Sequence, residues 1–236
     1  KKYQDEAIRL NNSYGIGQSY ILMGDVYFQQ KMNNIAIKQY RQAADFYQSN
    51  GKENELYYPY YTISACYTNM RQYEEAEEYA LKSLTLAPNE QAKVSSYLGL
   101  LRIYIKTNNL KKAEEVKNIL VEYNSRDMIK GGSKQNYYIV LGTYYCETQN
   151  FPQAILYSDS IIDRQSRTDL KSAIYAKCGD FEKAYTFRLE NSILYDSLTE
   201  ANNAEILASY NARFNNQKLE LEKNRLSLLN TEMRLK

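Results

Sequence analysis

The chain has 236 residues, 44% of them hydrophobic and 25% charged, and its 9 Gly and only 3 Pro, with many Ala, Leu, Glu, Lys and Gln, favour helix throughout. A net charge of +2 leaves no electrostatic footprint for nucleic acid. With no His, a Ser-His-Asp or Cys-His nucleophile and any His-ligated metal are excluded.

The chain opens at Lys1-Lys2 without a Met and stops at Lys236 in a helical pattern with no Gly, Asn or Pro to end it, so it is expected to be a piece of a longer protein. A half unit at Lys2 to Asn12 around Ala7 is followed by a recurring spacing of a small residue, Tyr three later, and Ala nine after that. Gly24, Tyr27 and Ala36 fit it, as do Ser64, Tyr67 and Ala76. Leu101, Tyr104 and Ala113 keep the spacing with Leu in the small position. Gly142, Tyr145, Ala154 and then Ser172, Tyr175, Ala184 complete the series. The alanines are 40, 37, 41 and 30 residues apart (36→76→113→154→184). In each unit the apolar positions recur with helical period. The small residue and the Ala mark where two antiparallel helices cross most closely, and the Tyr fills the space beside that contact.

Short turns separate the two helices of each pair, at Lys31 to Asn34, Met70 to Gln72, Thr107 to Asn109, Thr148 to Asn150 and Cys178 to Asp180. Asn50-Gly51-Lys52 and Gly131-Gly132-Ser133 are expected in longer connections. Tyr is the outlier of the composition, 25 against 6 Phe and no Trp, which points to many half-buried ring positions. Cys66, Cys146 and Cys178 form no CxxC pair and no disulfide framework, and they read as small buried residues on helices. Glu74/Glu75, Glu77/Glu78 and Glu114/Glu115 sit early in second helices, where acids favour the helix dipole, and read as solvated faces rather than acid-base pairs. No apolar run approaches the roughly 20 residues of a membrane span.

These units resemble the tetratricopeptide repeat, whose period is roughly 34 residues. The fullest match is Tyr20-Met23-Gly24-Tyr27-Ala36-Tyr40-Ala43. The resemblance implies an all-α, right-handed superhelical solenoid over 1–198, with units near 17–50, 57–90, 94–127, 135–167 and 168–198. It also implies a concave groove lined by the first helix of each pair. Carried onto this sequence, the groove positions are Gln18, Ile21, Asp25, Phe28 and Gln29, then Tyr58, Tyr61, Ala65, Thr68 and Asn69. The third unit supplies Ser95, Leu98, Arg102, Ile105 and Lys106, and the fourth Asn136, Ile139, Thr143, Cys146 and Glu147. A wall of apolar centres with a few hydrogen-bonding groups suits an extended peptide or a partner helix better than a phosphate or a metal. Arg102 and Lys106, four apart on one helix, are the basic pair facing the groove and could hold a ligand carboxylate; the competing reading is a solvated helix face. The ninth positions, Asp25, Ala65, Arg102, Thr143 and Ala173, include no Asn, which argues against a chaperone-adaptor groove.

From 199 to 236 the repeat stops. Leu219, Leu226 and Met233, with Leu221, Leu228 and Leu235, mark a long amphipathic helix with weak heptads, a capping and dimerising element or a signalling stalk. Repeats followed by this helix resemble the sensory part of Bacteroidetes membrane-anchored regulators, with a LuxR-type helix-turn-helix or histidine kinase output. That resemblance implies a membrane span just past Lys236 and a place on the periplasmic face of the inner membrane. The alternative is a freestanding cytoplasmic adaptor that scaffolds a protein complex. Both are non-enzymatic, need no cofactor and no metal, take a protein or peptide partner, and leave ligand and compartment open.

Overall fold

The computed structural model describes residues 13–194 and Lys223. The half unit expected at 2–12 and the pairing helix expected at 199–236 lie outside the described residues, Lys223 apart. Among the described residues there is no strand. The elements are α1 (Ser13–Gln29), α2 (Asn33–Ser49), a single 3-10 turn (Glu53–Glu55), α3 (Tyr57–Asn69), α4 (Tyr73–Thr85), α5 (Glu90–Lys106), α6 (Leu110–Ser125), α7 (Gly131–Glu147), α8 (Phe151–Asp159) and α9 (Arg164–Cys178). A helix α10 covers 181–194. Consecutive helices pair as hairpins, and α3, α5, α7 and α9 also touch in sequence. The result is an all-α helical-repeat solenoid whose first helices stand side by side as one wall.

The close crossings fall on the recurring small residues. A Cβ on Gly24 would lie 2.5 Å from Cε1 of Tyr40, and one on Gly142 would lie 2.7 Å from Leu170 and 3.6 Å from the Ala154 carbonyl oxygen. In the two units with Ser, the hydroxyl donates directly to the carbonyl of the partner Ala, Ser64 to Ala76 at 2.8 Å and Ser172 to Ala184 at 3.0 Å. Ala36, Ala76, Ala113 and Ala154 are wholly buried. Leu101, the large residue in the small position, is wholly buried too.

Each hairpin turns in the same way. Lys31, Arg71, Asn108, Gln149 and Gly179, each five residues before its unit's Ala, have φ of 60°, 62°, 54°, 59° and 88°. The following N–H donates to the carbonyl of the recurring Tyr: Met32 to Tyr27, Gln72 to Tyr67, Asn109 to Tyr104, Asn150 to Tyr145 and Asp180 to Tyr175, at 2.8 to 3.0 Å. This is a Schellman closure, which satisfies otherwise orphaned carbonyls at a helix end. Asn109, Asn150 and Asp180 then cap the second helices through their side chains. Gly179 and Asn108 suit a left-handed backbone; Lys31, Arg71 and Gln149 hold it against a Cβ clash.

Two details differ from the sequence reading. Gly131-Gly132-Ser133 form the first turn of α7 rather than a connection, because Lys130 is extended and Gly131 takes φ 55° where the helix starts. Cys66 and Cys146 are buried, but Cys178 is exposed, since it is the last residue of α9 beside the Gly179 turn. The Tyr excess is used as expected, with half-buried rings such as Tyr67 on Tyr79 and Tyr145 on Tyr157 stacked at 5.8 and 5.4 Å along the seams between helices.

Arg71→Gly is expected to stabilise the protein by about 1 kcal/mol, the cost of a left-handed non-Gly residue less the added freedom of the unfolded chain. Gly24→Ala is expected to destabilise it by about 1–3 kcal/mol through overpacking against Tyr40. Urea denaturation checks both, and an Arg71→Gly midpoint no higher than wild type refutes the strained turn.

Candidate functional site

Among the described residues, hollows open on the wall of first helices, and two of them take up most of the expected groove residues. The central one, about 90 Å³, lies among α1, α3, α5 and α7. Its rim carries Phe28, Tyr61, Ala65, Thr68, Asn69, Gly99, Arg102 and Asn136, and its floor Ser64, Ala80, Ser83 and Ser96. Ser83 and Ser96 bond each other at 2.9 Å and so satisfy their buried hydroxyls. Arg102 donates from Nη2 to Oδ1 of Asn136 at 2.6 Å, which fixes the guanidinium across the gap from α5 to α7. Its side chain reaches solvent along the groove, yet protein crowds it closely enough to hold its pKa below the ordinary arginine value. It remains a cation. Among the described residues no carboxylate forms an ion pair with Arg102 or with Lys106.

The second hollow, about 200 Å³, is lined by Gln18, Ile21, Asp25, Tyr47, Glu55, Tyr58 and Pro59. Oδ1 of Asp25 accepts from the hydroxyl of Tyr40 at 2.7 Å and from that of Tyr58 at 3.0 Å. Burial, then the neighbouring Asp25, pushes both phenols well above the ordinary tyrosine range, so they stay protonated as donors to the carboxylate.

The expected groove residues divide accordingly. Phe28, Tyr61, Asn69, Arg102 and Asn136 meet at the central hollow, and Ile21, Asp25 and Tyr58 at the other. Leu98 is 1% exposed and packs in the core, so it supports the wall without offering it surface. Ile139 is half-buried against the core around Cys146. Glu147 is paired with Lys177, which ties α7 to α9. Lys106 is exposed at the end of α5, outside both hollows. Among the liners that escaped the sequence reading are Glu55 on the 3-10 turn and Gly99. A Cβ on Gly99 would meet nothing within 4 Å, so this glycine serves no helix crossing and leaves open space over the hollow. Its place three residues before Arg102, in mid-helix and off the small-residue register, was the available signal.

Several charged side chains outside these hollows are tied to one another. Glu77 accepts from Tyr104 and Lys112 at 2.9 and 2.7 Å, and Glu78 pairs with Lys82 at 2.6 Å. A larger hollow of about 510 Å³ on the last pair holds Asp169, Arg188 and Asn191, which bond among themselves. Among the described residues no helix is long and apolar enough to cross a membrane.

Burial pushes the Cys66 thiol up to about 12 and raises that of Cys146 as well. A thiol-disulfide reagent added to the native chain is therefore expected to modify Cys178 at once and the other two only on unfolding, read by absorbance with and without denaturant. Rapid reaction of all three refutes this burial.

Residues 17–50 and 57–90 each match the family profile of the tetratricopeptide repeat. The uncharacterized protein ycf37 of Guillardia theta is 30% identical over 120 residues, covering 49% of this chain. The match spans 63% of the length of that relative. The crystal structure of BtubC (BKLC) from P. vanneervenii has the same fold, with a TM-score of 0.62 at 16% identity over 84% of this chain and 89% of that one. The chain therefore carries tetratricopeptide repeats, set in an all-helical repeat solenoid.

Proposed function

We propose that this chain is a non-catalytic protein-binding domain that holds an extended segment of its partner along the concave face of α1, α3, α5 and α7. Tetratricopeptide repeats generally mediate protein–protein binding, which sets the class of partner. One observation carries the reading to this face: Arg102 stands in the central hollow, aligned by Asn136, without a carboxylate partner among the described residues. A crowded guanidinium held in one orientation is prepared for a bidentate bond to a carboxylate of the ligand. Thr68, Asn69 and the rim of Phe28 and Tyr61 supply polar and aromatic contacts beside it.

In the wider reading, this binding is the input of a membrane-anchored signalling or transcriptional regulator. That extension rests on the sequence resemblance. A ligand that bridges several first helices favours one solenoid curvature over others, and a population shift of that kind is what an output module could read.

The test is binding of peptides selected from a random display library against the full chain, with affinities measured by fluorescence anisotropy. Gly99→Leu, whose Cβ has open space and whose side chain fills the hollow, and Arg102→Ser are each expected to weaken binding at least tenfold, about 1.4 kcal/mol. Cys178→Ser, remote from the groove, is expected to leave affinity unchanged. Unaltered affinity in Gly99→Leu and Arg102→Ser places the binding surface elsewhere and refutes the groove.

A further inference from the structure

The two hollows of the concave face carry opposite charge. One holds the carboxylates of Asp25 and Glu55, the other the guanidinium of Arg102. Among the described residues none of these three groups has an ion-pair partner. Asp25 is met only by neutral phenol donors, and Arg102 only by the neutral amide of Asn136. Glu77 and Glu78, on α4 outside both hollows, do pair with Lys112 and Lys82. The groove thus keeps both signs of charge available, in a fixed order.

The spacing between the hollows follows from the helices they share. Asp25 and Phe28 are three apart on α1, as are Tyr58 and Tyr61 on α3, with the first of each pair in the acidic hollow and the second in the basic one. The charges themselves stand further apart, Asp25 on α1 and Arg102 on α5, two first-helix spacings of about 8–10 Å each with α3 between them. Together these give a separation of about 16–20 Å. An extended chain covers that in about five or six residues, and in the polyproline-type form residues six apart lie about 19 Å from each other on the same side.

We infer that the segment bound in the groove carries a basic side chain and a carboxylate about six residues apart, the cation against Asp25 and Glu55 and the carboxylate on Arg102. The inference rests on the groove reading above and names its ligand class. A segment with two like charges at this spacing leaves one of them facing a like charge in a confined hollow, which selects against it.

The test uses the full chain and four synthetic, fluorescein-labelled nonapeptides of one apolar and Tyr-containing background. They carry, six residues apart, Lys then Glu, Glu then Lys, Lys then Lys, or Glu then Glu. At least one mixed-charge peptide is expected to bind tenfold or more tightly than both like-charge peptides. In Arg102→Glu the preference is expected to move to the peptide with two Lys. In Glu55→Lys, a change on an exposed turn that leaves the core untouched, it is expected to move toward the peptide with two Glu. Circular dichroism confirms that each variant is folded. If all four peptides bind alike, and all lose affinity in Gly99→Leu, the charge order is refuted and the groove reading stands. If no peptide binds, or binding is indifferent to Gly99→Leu, both are refuted.

Discussion

The hydroxyl of Ser64 against the carbonyl of Ala76, 2.8 Å away, and that of Ser172 against Ala184 at 3.0 Å, show the contact on which the solenoid depends. A side chain no larger than Ser on the first helix, facing Ala on the second, lets the backbones approach until one side chain bonds the other's peptide group. Gly24 and Gly142 achieve the same approach with no side chain at all, and Tyr40 and Leu170 occupy the space a Cβ would need. A turn of a few residues with one left-handed member then closes each hairpin, the α5–α6 pair with Leu101 in the small position included. The recurring Tyr supplies both parts: its ring packs beside the crossing and its carbonyl accepts the closing N–H.

Because each pair is thin, its rings reach the surface, and this explains the use of Tyr rather than Phe. Tyr40 buries its ring wholly and ends on Asp25; Tyr104, 5% exposed, ends on Glu77 at 2.9 Å. In each case a core residue of one helix ties down a carboxylate on another, and burial keeps the phenol protonated for the purpose. The same device shapes the groove, since Asp25 is positioned by Tyr40 from behind and by Tyr58 from the wall.

In a repeat array each unit touches mainly its neighbours, so shape is a sum of local angles. Arg102 to Asn136 links α5 to α7, Tyr58 to Asp25 links α3 to α1, and Lys177 to Glu147 links α9 to α7. These links lie on the concave side. They are where a bound segment, competing for or reinforcing the same polar groups, changes the angle between units.

The sequence by itself determined the helix pairs, their turns and their crossings, because these depend on residues within one hairpin, where spacing in the chain is spacing in space. Gly24 to Ala36 or Ser64 to Ala76 can be read without knowing any other unit. Through the repeat resemblance it named Asp25, Tyr61 and Arg102 on first helices, and the structure puts these residues at the two hollows. What only the tertiary structure decided is how each groove position is used. Leu98 is buried while Gly99 faces open space, and Glu147 is neutralised by Lys177 while Arg102 keeps an amide for company. Those outcomes are set by side chains some 34 residues away on the next unit, as with Arg102 and Asn136, and no local period encodes them. The order of charge along the groove comes from the same source. It is fixed by how units stack, not by the pattern inside any one of them.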